Sequence, residues 1–355
     1  MVLYFVILFL VLFFLSIEEK IFRNKRSFNL LIIIVAFILI FFEGLRSYTV
    51  GTDTNEYVHG FMNSRHFNQS SFKLKTALEL GYVTMQGLAN RISSNYWSIL
   101  TVVAFFSVLS YFKSIRSLSF NFKVSIFVYL TLGAYIFVFN GARQGIAASI
   151  CSLAIVEVFN KNKIRFFLWI LLASQFHKTA FILLPFYYVF RSEFSLKKVI
   201  ILLILASVSL KLLAPILTFF SEDTQTKYSE YISRGASGGY LFTLFYVILT
   251  LLFIRFRKQI SKENIRYYDI CLYICIMSSL IYLEVVITGI DINLMRLALY
   301  FSMGYILIWP VIFKEVKFFK SSLAKFLFYA VHIVFFYVYL ATQSRLIPYN
   351  FNNII

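Results

Sequence analysis

Twelve apolar runs, parted by polar connections, set the first reading of this chain. They lie near residues 1–17, 29–42, 97–112, 124–140, 144–159, 164–176, 179–190, 199–220, 240–256, 268–288, 296–313 and 325–342. A helix that crosses a bilayer needs roughly 20 mostly apolar residues. Most of the runs approach that length, and none shows the short alternating segments of a membrane β-barrel. The pattern predicts an all-α, polytopic membrane protein of about 12 transmembrane helices, built as one integral domain over 1–355. Runs 164–176 and 179–190 are only 13 and 12 residues long, which predicts a broken or re-entrant hairpin. The first run has no basic region before it and no small-residue cleavage site after Leu15, so it reads as a retained helix. Two long hydrophilic stretches remain, 43–96 and 221–239, and no internal repeat is visible.

Composition agrees with this reading. Of 355 residues, 60% are hydrophobic and 14% charged, whereas a soluble domain carries about 25% charge. A secreted module, a cytosolic enzyme and a disordered chain are excluded. Lys and Arg number 34 against 16 Asp and Glu, a net charge of +18, and in a soluble protein that excess would point to nucleic acid. Its placement gives another reason. The connections after the first, third, fifth, seventh, ninth and eleventh runs hold 22 of the basic residues, and the opposite side holds 11 over longer segments. Cytoplasmic loops collect Lys and Arg. The odd-numbered connections are therefore assigned to the cytoplasm, and both termini and both hydrophilic stretches to the outside. Cys151, Cys271 and Cys275 all sit in apolar runs without metal-ligand spacing and read as packing residues.

The outer side carries polar clusters that charge bias does not explain. Arg46 precedes Gly51-Thr52-Asp53, where Gly51 permits a tight turn and Asp53 or Thr52 is placed to cap a helix through Tyr57. Arg143 and Gln144 head the fifth run, with the small residues Ala147, Ala148 and Ser149 behind them. His177 and Lys178 lie between the two short runs. Arg296 opens the eleventh run, Glu284 lies in the tenth, and Arg234 stands in a Ser- and Gly-rich stretch that reads as a linker or as a flap over a ligand. Bland alternatives accompany each: Arg46 and Arg143 as snorkelling side chains, Asp53 as a helix cap, His177 as a satisfied backbone partner, Glu284 as the partner of an Arg. Together, however, several Arg residues and a His-Lys pair collect on one side at helix ends. Arginine at membrane depth is costly without a compensating anion, and its forked donors suit phosphate and diphosphate. An anionic headgroup at the outer leaflet is the ligand this chemistry predicts.

The order Arg46, Val50-Gly51-Thr52-Asp53 and Tyr57, then Ala142-Arg143-Gln144-Gly145-Ile146-Ala147, then Phe176-His177-Lys178-Thr179-Ala180 with Pro185, then Arg296 before Tyr300-Phe301, resembles the EpsG-like family of Wzy-type polysaccharide polymerases. The likeness runs from about residue 40 to 305. Lys178 departs from the family, whose members often carry a small residue or a second His there. The resemblance implies a glycosyltransferase-type enzyme of the bacterial cytoplasmic (inner) membrane, acting on undecaprenyl-diphosphate-linked oligosaccharides in O-antigen (lipopolysaccharide), capsule or exopolysaccharide synthesis. A chain-length regulator protein is the partner it implies. Arg46, Arg143, Gln144 and Arg296 would then hold the diphosphate, with Lys178, Arg234 and Glu284 as further candidates. His177 or Asp53 would act as base, the other orienting it or binding a hydroxyl. No Asp/Glu pair has metal spacing, so neither metal nor other cofactor is expected. A glycan ligase would use the same arginines. A flippase would show internal pseudo-symmetry and midplane polar sites, and a sugar acyltransferase a His beside a carboxylate or Ser on the donor's side.

Overall fold

A computed structural model describes residues 1–22, 29–63, 79–195, 197–208, 239–289, 292–342 and 345–352. His66, Arg234, Asp291 and nearly all of the stretch 221–239 lie outside the described residues. Those described form helices: α1 Val2–Phe22, α2 Leu30–Gly44, α3 Thr54–Asn63, α4 Leu80–Ile92, α5 Trp97–Leu118, α6 Phe122–Thr131, α7 Phe137–Asn140, α8 Ala142–Phe159, α9 Lys163–Ser174, α10 Phe186–Phe190, α11 over 197–208, α12 Tyr240–Phe256, α13 Ile265–Thr288, α14 Ser302–Glu315 and α15 Ser322–Thr342. Two 3₁₀ segments, Lys178–Leu183 and Ile292–Phe301, precede α10 and α14.

Among the described residues, seven helical stretches are long and apolar enough to cross a membrane: Val2–Ile21, Trp97–Leu118, Ala142–Phe159, Tyr240–Gln259, Ile265–Thr288, Ile292–Glu315 and Ser322–Thr342. Run 199–220 is described only to residue 208; the remaining runs give shorter pieces, and local breaks explain several of them. Run 124–140 turns at 132–136 between α6 and α7. Run 164–176 stops as α9 at Ser174, and run 179–190 divides into a 3₁₀ turn and a five-residue helix. A hydropathy run does not show such breaks, because a turn whose backbone groups are paired inside the bundle needs no polar side chains. The stretch 43–96 is not simply a loop either, since it contains α3 and α4.

The ends of the helices sort cleanly. The α1 terminus meets the α5–α6 connection through Glu18–Arg116 at 3.0 Å and through Glu19 with Lys123 and Asn121. Tyr267 at the start of α13 donates to the Leu118 carbonyl (3.1 Å) and stacks near Phe159. Arg266 reaches the Arg191 carbonyl, Ser261 Oγ donates to Glu315 (2.9 Å), and Lys314 lies over the Phe120 ring. All six basic connections therefore share one end. Three helices that return from it, α2, α6 and α9, start on Asn29, Asn121 and Asn162, each accepting a backbone N–H three residues on. This is the strongest class of N-cap.

In lipid, helices associate by close packing and interhelical hydrogen bonds, since hydrocarbon outside is as apolar as hydrocarbon inside. Helix α8 has the small residues for this and sits at the centre: 83% of it is buried, against 28% of α1 and α12. Ser152 on α8 meets Ser114 on α5 at 2.8 Å, and Ser125 on α6 donates to the Ile306 carbonyl of α14 (2.8 Å).

The opposite end gathers both the first turn of α1 and the segment 345–352. Tyr4 donates to the Leu346 carbonyl (2.7 Å) and Tyr349 to that of Phe42 (2.5 Å), with the Tyr349 and Phe42 rings stacked at 4.3 Å. Backbone bonds Ser47 N to Asn350 O, Gly51 N to Arg345 O and Asn352 N to Leu45 O tie 345–352 to the loop after α2. The three cysteines are buried, which leaves a quiet background for labelling. With Glu56 exposed at this end and Lys262 exposed at the basic end, a membrane-impermeant maleimide should label Glu56→Cys in intact cells and Lys262→Cys only after permeabilisation. The reverse pattern would invert the orientation.

Candidate functional site

The end opposite the basic connections carries two arginine–carboxylate pairs, and backbone geometry places each. Gly51 has φ +101, and a Cβ there would stand 2.1 Å from the Phe139 carbonyl oxygen. Only glycine allows this approach. The turn it makes is fastened by Thr52 N to Asn140 Oδ1 (3.0 Å) and by Thr54 Oγ1 to the Val50 and Phe139 carbonyls (2.7 and 2.9 Å). Asp53 is thereby held beside the α7–α8 corner, where its Oδ2 lies 3.6 Å from Arg296 Nη1. Gln144, one residue into α8 from Arg143, donates from Nε2 to the Arg296 carbonyl (3.2 Å). This bond sets the two arginine-bearing segments side by side.

The second pair comes from α4. Gly81 N donates to the Gln175 carbonyl at 2.8 Å, and a Cβ on Gly81 would meet that same oxygen at 2.6 Å. The first turn of α4 is thus pressed against the break after α9, which brings Glu79 to His177. Glu79 Oε2 accepts from Arg143 Nη1 at 2.8 Å, and Oε1 lies 3.4 Å from His177 Nδ1. Burial would raise the Glu79 carboxyl, but the contact with His177 and the charges of His177 and Arg143 outweigh it and hold the pKa down at about 2. The half-buried Tyr57 on α3 stands among Arg143, Asp53 and Arg296, whose charges act on its hydroxyl. It joins the two pairs into one polar patch. Thr179, two residues after His177, and Tyr300 share a buried hydrogen bond of 2.7 Å.

Several expected residues prove to be placed otherwise. Arg46 is fully buried, donates from Nη1 to the Glu43 carbonyl (2.5 Å) and lies 4.6 Å over the Phe139 ring. A side chain closed off in this way has no surface to offer a diphosphate. The carboxylate that meets His177 is Glu79, not Asp53, because Asp53 is held at the α7–α8 corner while α4 docks on the α9 break. Gln144 is buried and spends its amide on the Arg296 carbonyl, so it positions an arginine. Lys178 begins the 3₁₀ segment beside His177, and Glu284 sits part-exposed near the end of α13. Arg143, Arg296, Asp53 and His177 do come together at one end. Glu79 and Tyr57 were missed as site residues. The sign that was present is a lone acid directly before a Gly-containing helix start, Glu79-Leu80-Gly81, and Tyr57 one turn beyond Asp53.

The class this defines is an all-helical protein with membrane-spanning helices and an arginine-rich polar site at one end. The chain belongs to the EpsG family, whose model matches residues 29–351. Family membership and the apolar helices together fit a membrane protein of polysaccharide biosynthesis. No curated protein and no solved structure matches the chain.

The Glu79 pKa gives a prediction with a definite sign. Its folded value is depressed below the ordinary 4.5, to about 2, so its stabilisation is fully present above about pH 4.5 and fades as pH falls towards 2. The shift corresponds to about 3 kcal/mol. Purified Glu79→Gln should melt at a lower temperature than the parent from pH 5 upward, and the gap should close between pH 4.5 and 2. A gap independent of pH would remove the ion pair from the account.

Proposed function

We propose that this chain is a polysaccharide polymerase that joins undecaprenyl-diphosphate-linked oligosaccharide units on the outer face of the bacterial cytoplasmic membrane. The observation that carries the reading is the pairing of Arg143 and Arg296 with Glu79 and Asp53 around Tyr57, at the end away from the basic connections. Both guanidinium groups keep accessible surface: the Arg143 side chain is 28% exposed, and that of Arg296 is 35% exposed with a loose 3.6 Å contact. A diphosphate entering between them would find two forked guanidinium groups, the arrangement that best matches paired oxyanions.

The transfer then has three needs. The acceptor sugar hydroxyl attacks the anomeric carbon of the growing chain, a new C–O bond forms, and the bond from that carbon to the diphosphate breaks. Charge builds on the departing diphosphate, and Arg143 and Arg296 stabilise it where it builds. The hydroxyl proton passes to a base. Glu79 faces His177 Nδ1, which favours the tautomer with the proton there and leaves Nε2 as acceptor, as an orienting carboxylate does for a catalytic imidazole. Asp53 holds Arg296 before substrate arrives. The repeat-unit sugars dock above this patch, and a chain-length regulator is the protein partner of the reading.

A gel of surface glycan from deletion and point-variant strains tests the proposal. Deletion should leave single repeat units on their anchor. Loss of even those units would indicate a flippase, and accumulation of lipid-linked polymer a ligase. Arg143→Lys should lack polymer despite keeping its charge, because an ammonium cannot present the fork. Arg296→Ala and His177→Gln should also lack it. A buried charge-assisted contact is worth about 2–5 kcal/mol, or at least about thirtyfold in rate. Wild-type polymer from inserted Arg143→Ala and Arg296→Ala proteins would move the site elsewhere.

A further inference from the structure

At the basic end of the bundle lies a groove that has no part in the polar patch. Its floor is α8, through Leu153, Val156, Glu157 and Asn160, and α5 and α9 form its walls. The volume is about 490 Å³, within the range of roughly 300–1,000 Å³ of small-molecule sites. The walls are graded. Leu168, Trp169 and Leu172 line the α9 side, and two turns of α9 from Arg165 to Leu172 give the groove a length of about 10 Å. At its basic end stand Lys113 on one wall and Arg165 on the other. Both are exposed, and neither forms an ion pair among the described residues. The third charge is Glu157, a mostly buried carboxylate that Asn160 Nδ2 approaches at 3.5 Å. Two cations less one carboxylate leave one net positive charge. The outer face of α9 is apolar and uncovered, with Ile164, Phe167, Leu168, Leu171 and Leu172 exposed.

We propose that this groove binds an anionic phospholipid from the leaflet at the basic end, its phosphate between Lys113 and Arg165 and one acyl chain along Leu153, Val156, Leu168, Trp169 and Leu172. The polarity of the groove selects this occupant. A charged mouth facing the interface and an apolar channel running into the bilayer match a headgroup and its chain, in that order. Basic pockets between helices at this level recognise anionic headgroups. An ordinary boundary lipid would need only the apolar wall. The site is at the other end of the bundle from Arg143 and Arg296, so the proposal does not depend on the polymerase reading.

Trp169 reports on the groove from inside. The full chain is placed in nanodiscs of phosphatidylcholine containing increasing brominated phosphatidylglycerol, or brominated phosphatidylcholine as control. The Trp169 signal is taken as the difference between the parent and Trp169→Phe. Quenching by brominated phosphatidylglycerol should reach half its maximum at a mole fraction lower by about fivefold, the worth of one net charge beside an anionic headgroup. In Lys113→Gln/Arg165→Gln the two lipids should quench alike. Both positions are exposed, so the double variant keeps the fold. Equal quenching by the two lipids in the parent would overturn the proposal in favour of ordinary boundary lipid. So would a preference that survives the double variant. Trp169 shielded from both lipids would overturn it in favour of a second copy of the chain covering the groove.

Discussion

One carboxylate joins three parts of this molecule that are far apart in sequence. Glu79 contacts Arg143 at the head of α8 and His177 at the break after α9, and the bond from Gly81 to Gln175 keeps it there. A largely enclosed carboxylate held between a guanidinium and an imidazole ties its partners together, because removing one member leaves the others desolvated without compensation. The polar patch therefore behaves as a unit. Asp53 and Arg296 complete it from the other side of Tyr57, and the Gln144 bond to the Arg296 carbonyl couples the halves.

The same chemistry occurs at the basic end with another purpose. Glu18 with Arg116 and Glu19 with Lys123 tie the end of α1 to the α5–α6 connection, and Asp269 with Arg257 at 2.6 and 2.9 Å closes the connection between α12 and α13. These pairs consume acids that would otherwise offset the basic excess only at a distance. They staple helix ends, whereas the Arg296–Asp53 pair across the bundle holds its arginine loosely. The contrast is one of completeness. The Arg257–Asp269 fork is closed on both sides, and the Arg296–Asp53 contact is long and single.

Much of the architecture was legible because two periodic signals agreed. Apolar length located helices, and alternating basic connections sorted their ends, which the contacts of Glu18, Tyr267, Arg266 and Lys314 bear out in detail. The continuity of the helices was less legible. Leu132–Ile136 breaks the helix without a polar signal, since its backbone groups are paired within the protein, whereas the polar residues after Ser174 had marked the break behind α9. At the site, Arg143, Asp53, His177 and Arg296 stood out as charges at helix ends. Arg46 looked the same and is enclosed, because its fate depends on Phe139 and on residues about 300 positions later. Glu79 was hidden for the converse reason: what marks it is the docking of Gly81 on Gln175, a contact between segments that sequence spacing does not relate.

The clasp of 345–352 on the loop after α2 bears on the order in which the molecule can be made. The Leu45 carbonyl and the Ser47 and Gly51 amides take their backbone partners from Asn352, Asn350 and Arg345. During synthesis the early loop must wait, with Arg46 not yet enclosed, until residues 345–352 have left the ribosome. Pairings this remote in sequence form late and slowly. Asp53 hangs from that same loop, so half of the polar patch acquires its final shape only when α15 and the segment 345–352 are in place. An incompletely translated or inserted chain would then carry its arginines without the arrangement that gives them a use.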